Sequence, residues 1–113
     1  MIDYETIARN NHNSGMNCAQ AVYDALSSGN PNGTSAPRPR GEGGKCGAVL
    51  AAEQVIRECG GSDADVEEFR KRFTDRYGYL TCAELRGKAS GRCNDFVGIA
   101  ASIVGSMGIL KDR

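Results

Sequence analysis

This chain has no net charge, no long apolar run and no closely spaced pair of metal ligands, and each absence closes a route to function. Its 14 basic and 14 acidic residues cancel. A nucleic-acid binder is expected to show a basic excess on some face, so that class falls away. No stretch of 18 or more apolar residues exists, which removes a membrane-spanning helix. The first residues, MIDYETIARNN (1–11), have neither the basic start nor the apolar stretch of a secretory signal, so the cytoplasm is the expected compartment. No segment alternates apolar and polar residues for long, which argues against strands, and no internal repeat marks a solenoid. The single histidine, His12, lies in a polar NNHN run and reads as a solvated turn residue rather than a ligand. No fingerprint of a hydride cofactor is present, and no base has a spacing that pairs it with a nucleophile.

What is present is a chain of 113 residues, 40% of them apolar, which is enough for one domain with a modest core. The periodicity predicts a single all-α domain over residues 1–113, with four or five helices in orthogonal or bundle-like packing. Ala19, Val22, Tyr23 and Leu26 recur at helical spacing, and Gly29 closes that helix. Residues 29–44, with three prolines and several glycines, form a loop. A second helix starts near Lys45 or Cys46, buries Ala48, Ala52, Val55 and Cys59, and ends at Gly60-Gly61. Ser62 and Asp65 have capping-box spacing for a third helix, which buries Val66, Phe69, Phe73 and Tyr77 and stops at Gly78. Its RKRFTDR segment (70–76) is the wet face, with Glu67, Glu68 and Asp75 offsetting the charge. Thr81 and Glu84 repeat the cap for a short helix ending at Gly87. A last helix runs from Ser90 or Gly91 to Met107, burying Phe96, Val97, Ala100, Ile103 and Val104.

Five cysteines are many for a chain of this kind. In a reducing compartment they point to metal ligation, a transient disulfide or a redox centre rather than to structural bridges. Cys18, Cys46, Cys82 and Cys93 each fall within the first turn of a predicted helix. There the unpaired N–H groups and the positive end of the helix dipole favour a thiolate. Cys59 falls at a helix C-terminus on an apolar face and reads as a core residue. The four are separated by 28, 36 and 11 residues, with no Cys-x-x-Cys, which disfavours a zinc knuckle or a thioredoxin-type motif. Convergence on an iron–sulfur cluster and pairing as two disulfides both stay open.

The glycine-rich GEGGKCGAVLAAEQV (41–55) hints at a phosphate loop, but the motif needs Ser or Thr where Cys46 stands and Gly where Pro39 stands. Its glycines leave room instead for backbone N–H groups to face an anion, expected to be the thiolate of Cys46 itself or a cluster that it helps to hold.

NCAQAV (17–22), KCGAVLA (45–51), FRKRFTDRYGYLTCAEL (69–85) and GRCNDFV (91–97) together resemble the redox-active four-cysteine family known by its pattern Cys … Gly-Cys-Ala-x-x-Gly … Cys … Cys. The resemblance covers residues 15–103 and places the family cysteines on Cys18, Cys46, Cys82 and Cys93; Cys59 has no counterpart. It implies a small helical redox protein whose cysteines form disulfides or ligate an iron–sulfur centre. On that reading Cys18 pairs with Cys46 and Cys82 with Cys93, or all four hold a cluster as metal ligands. A redox partner protein and a homo-oligomer are compatible with it. An electron or thiol–disulfide carrier is expected, rather than an enzyme with its own substrate. A zinc-binding module and a non-redox helical interaction module with buried cysteines are the alternatives. The chain departs from the pattern at Ala51, where the family has glycine, and in the Pro- and Gly-rich segment 29–44.

Overall fold

A computed structural model describes residues 3–30, 33–37, 45–88 and 92–110, with the side chains of Cys82 and Arg86 excepted. Among these residues there are six α-helices and a single antiparallel bridge between Lys45 and Thr81. The helices are α1 (Tyr4–Asn13), α2 (Cys18–Leu26), α3 (Gly47–Glu58), α4 (Asp63–Tyr77), α5 (Cys82–Lys88) and α6 (Cys93–Ser106). A 3-10 turn, Ser27–Gly29, continues from α2. The all-α expectation holds, with one helix more than sequence periodicity indicates.

The additional helix is α1. Its sequence, YETIARNNHN, buries only Tyr4 and Ala8, too few apolar positions to make a stripe. Polar contacts hold it instead. Asp3 caps it by accepting the amide and hydroxyl of Thr6. The Arg9 guanidinium reaches Glu5 at 2.9 Å on its own helix and Asp95 at 3.0 Å on α6. The Asn94 side chain donates to the Arg9 carbonyl at 3.2 Å. His12 therefore lies in the last turn of a helix, half-buried beside Asn94, and not in a solvated turn. Tertiary partners outweigh a weak local propensity here.

The other helices follow their sequence signals closely. Ser62 and Asp65 form the capping box of α4, and Gly78, at φ 81°, ends it in the left-handed conformation that a side chain would disfavour. Thr81 accepts the Glu84 amide and donates to its carboxylate at the start of α5. At α6 the start moves to Cys93, because the Asp95 carboxylate accepts the Arg92 amide at 2.9 Å and fixes Arg92 as the cap. The charged face of α4 forms the pairs Arg70–Glu67, Lys71–Asp75 and Arg72–Glu68.

Two helix pairs organise the core. Tyr4 of α1 packs on Gly105 and Arg9 on Gly98, so α1 and α6 run antiparallel. By contrast, α2 and α3 run parallel, since Cys18 meets Cys46 at their starts and Tyr23 donates to Glu58 near their ends. Between these pairs lie the buried residues Val22, Leu26, Val49, Val55 and Ile56. A run of ring contacts, Phe69–Phe73–Tyr77–Phe96 with centroids 4.8 to 5.9 Å apart from one ring to the next, joins α4 to α6. Leu85 brings α5 into the same core. Ile103 and Tyr77 lie at its edge rather than inside it.

Candidate functional site: two thiols between two helix N-termini

Each of the four N-terminal cysteines opens a helix. Cys18 is the first residue of α2, Cys82 of α5 and Cys93 of α6, while Cys46 is the N-cap of α3. Asn17 caps α2 by accepting the Gln20 amide at 2.8 Å, which fixes Cys18 with its backbone already helical. Cys46 has the extended backbone of a cap residue, φ −57° and ψ 136°. Its amide donates to the Leu80 carbonyl at 2.9 Å, and the adjacent Lys45–Thr81 bridge fastens the same segment to the start of α5.

The parallel pairing of α2 and α3 brings Cys18 and Cys46, both free thiols, close enough for each to shift the other's ionisation. Cys46 is buried, at 4% exposure, and Cys18 is half-buried, with its edge open to solvent. The neighbouring Cys46 thiol is the main cause of a lowered Cys18 pKa, about 6 against an ordinary 9.0. Partial burial works against this, and the N–H groups of Ala19, Gly47 and Ala48 reinforce it. Those three amides belong to the first turns of two helices, so one sulfur sits at the positive ends of both. Cys46 is pushed the other way, upward, because it keeps the shared proton against the Cys18 thiolate and because it is buried. The pair therefore loses its first proton easily and holds its second.

The sequence expects the thiolate on Cys46; the electrostatics of the pair favour the anion on Cys18, at the start of α2, and the proton on Cys46. Lys45 does not face the sulfurs as a phosphate-loop lysine would face its anion. Its ammonium lies 3.4 Å from Glu53, a buried carboxylate that also holds Arg70 at 2.7 Å. The glycines at 41–44, expected to shape an anion nest, lie outside the described residues.

The remaining cysteines separate into distinct settings. Cys93 is half-buried at the start of α6, whose next residue, Asn94, bonds to the end of α1. The Cys82 side chain lies outside the described residues, so the expected Cys82–Cys93 pairing does too. Among the described residues no three Cys, His, Asp or Glu side chains converge in a metal-holding group. Cys18 and Cys46 are thus two of the four thiols a cluster was expected to draw on. Cys59, at the far end of α3, is buried and directs its thiol at the Gly29 carbonyl and the Asn30 side-chain oxygen, 3.6 and 3.5 Å away.

One cluster escaped the sequence reading. Glu58 accepts Tyr23 at 2.7 Å, Asn30 at 2.8 Å, Thr34 at 3.0 Å and Gln54 at 3.1 Å. Tyr23 in turn accepts the Thr34 amide at 2.6 Å. These donors hold the Glu58 carboxyl below its ordinary pKa, although burial opposes them. Helical spacing shows that Tyr23 and Glu58 each lie near a helix end, but not that the two helices run side by side.

Fold and site together define an all-α chain with two free cysteines at the starts of two parallel helices. Comparison with protein-family models, with curated proteins and with solved structures finds no match.

Proposed function

We propose that this protein is a thiol–disulfide redox carrier whose working pair is Cys18 and Cys46. The observation that supports this reading is their contact: a half-buried sulfur favoured as thiolate beside a buried thiol. The first is suited to attack and the second to resolve. At pH 7, a thiol with a pKa of about 6 is roughly nine-tenths thiolate, against about one part in a hundred for a thiol at 9.0. Resemblance to the four-cysteine family points the same way.

In the direction that reduces a partner, the Cys18 thiolate attacks one sulfur of the partner disulfide. A Cys18–partner bond forms, and the other partner sulfur leaves as a thiolate. Cys46 then gives its proton to that thiolate and attacks the Cys18 sulfur. The Cys18–Cys46 disulfide forms, the second partner sulfur departs, and two electrons have passed to the partner. Treatment of the protein with oxidised glutathione, followed by peptide mapping, is expected to show a reversible Cys18–Cys46 disulfide. Absence of that crosslink at every oxidant level excludes the reading. The iron–sulfur alternative rests on the bridge that ties the start of α5 to Cys46. It predicts iron, sulfide and visible absorption after anaerobic purification. A colourless, metal-free protein removes it.

A further inference from the structure

Where α4 gives way to α5, the chain leaves a groove of about 500 Å³, with Lys45, Thr74, Tyr79, Leu80, Thr81 and Glu84 on its walls. That volume lies within the range of clefts that take small molecules. The make-up is also of that kind, an apolar surface carrying a few polar groups. Its walls are fastened in advance. The Cys46 amide donates to the Leu80 carbonyl at 2.9 Å and Lys45 bridges Thr81, which ties the segment 79–81 to the start of α3. The Lys88 ammonium lies over the Tyr79 ring, 5.8 Å from its centroid, and steadies that side.

The polar groups on the walls set what the groove can hold. Lys45 is a cation to spare. The buried Glu53 carboxylate is gripped by Arg70 through two nitrogens, at 2.7 and 3.2 Å, whereas the Lys45 ammonium stands off at 3.4 Å. Lys45 can therefore turn to a ligand carboxylate without leaving Glu53 as an unpaired buried charge, which is the costly event. Thr74 gives its hydroxyl proton to the Arg70 carbonyl at 2.8 Å, so its oxygen is left to accept. Glu84 takes the Thr81 hydroxyl at 2.7 Å and brings a negative charge to the wall that α5 supplies. A cation, two acceptors and an apolar surface thus share one groove. We propose that it binds a short zwitterionic peptide, of about two or three residues. The peptide carboxylate pairs with Lys45, its ammonium with Glu84 and Thr74, and an apolar side chain packs on Tyr79 and Leu80. This site is independent of the dithiol reading above.

The test is a nuclear magnetic resonance titration of the full chain with the dipeptide alanyl-leucine, beside the same dipeptide acetylated at its amine or amidated at its carboxylate. The free dipeptide is expected to give saturable shifts centred on the amides of Tyr79, Leu80 and Thr81. Each capped form is expected to bind roughly three- to tenfold more weakly, for the loss of one charged contact. Glu84→Gln should weaken the free and amidated forms and leave the acetylated one alone. Lys45→Met should weaken the free and acetylated forms and leave the amidated one alone, with the urea midpoint held because Arg70 still engages Glu53. Where Lys45→Met loses that midpoint, the pattern in Glu84→Gln decides. No saturable shift with the free dipeptide, shifts centred on another part of the chain, or equal binding of all three probes overturns the proposal. So does a loss in Glu84→Gln that is uniform across the probes.

Discussion

The α2–α3 pair carries two cysteines at its starts and one at the other end, and the two ends place the same side chain in opposite settings. At the helix starts, the amides of two first turns and a neighbouring thiol lower the pKa of Cys18 and so favour its anion. At the helix ends, Cys59 is itself the donor, directed at a carbonyl and an amide oxygen. The same polarity recurs in the titratable neighbours. A carboxylate, Glu58, lies at the end where a helix dipole disfavours it, and it is retained because Tyr23, Asn30, Thr34 and Gln54 all donate to it. Sulfur chemistry is thus set by position along a helix pair and not by the abundance of cysteine.

The sharpest way to break this contrast is thiol labelling. Cys18→Ser is expected to abolish fast alkylation by iodoacetamide at pH 7, while Cys59→Ser leaves it intact, with a labelling midpoint in the unaltered protein near pH 6. Rapid labelling that survives in Cys18→Ser would sink the assignment of the thiolate. Next in size, Glu58→Ala strands several donors at once and is expected to cost about 2 to 3 kcal/mol in urea unfolding, with the Cys18 labelling midpoint unmoved. A neutral result would mean that the network is ornamental.

The two ends also respond to pH in separate windows. Folding lowers the Cys18 pKa, so its contribution to the reduced protein is fully present above 9.0 and is lost as pH falls through about 6. The upward shift of Cys46 acts only where that thiol would otherwise ionise, above 9.0. Glu58 is lowered from 4.5, so its contribution is present above that value and lost as pH falls through the folded one. Urea midpoints of the reduced protein should therefore rise between pH 6 and 9, and this rise should vanish in Cys18→Ser. A fall below pH 4.5 should be reduced in Glu58→Gln. The smallest expected change is Cys59→Ala, about 1 kcal/mol, for one thiol hydrogen bond and a small void.

How much of this is legible in the sequence follows from which forces are local. Caps and apolar stripes are local, and Ser62, Asp65, Gly78, Thr81 and the Val66–Phe69–Phe73 face are found where the pattern puts them. The placement of four cysteines at helix starts is legible for the same reason. Helix α1 is not, because its stability comes from Asp95 and Asn94, more than eighty residues away. Nor is the division of labour between Cys18 and Cys46. A lone helix start would favour a thiolate at either residue, and only the proximity of the two lowers the pKa of one and raises that of the other. That proximity depends on the parallel course of α2 and α3, which no periodicity encodes.

The antiparallel seating of α1 on α6 has a kinetic consequence. Tyr4 and Arg9 find their places against Gly105 and Gly98, about ninety to a hundred positions further along the chain. While the chain is growing on the ribosome, α2 and α3 can already bring their two sulfurs together and α1 can lean on α2, where Asn11 donates to the Ala21 carbonyl, but the Tyr4 and Arg9 side of α1 stays uncovered until α6 has emerged. Closing the structure is then the joining of the first helix to the last, a long-range step that should dominate the folding barrier. Gly105→Ala, which drives a methyl against the Tyr4 ring at 2.7 Å, should speed opening of that seam more than it disturbs the sulfur pair.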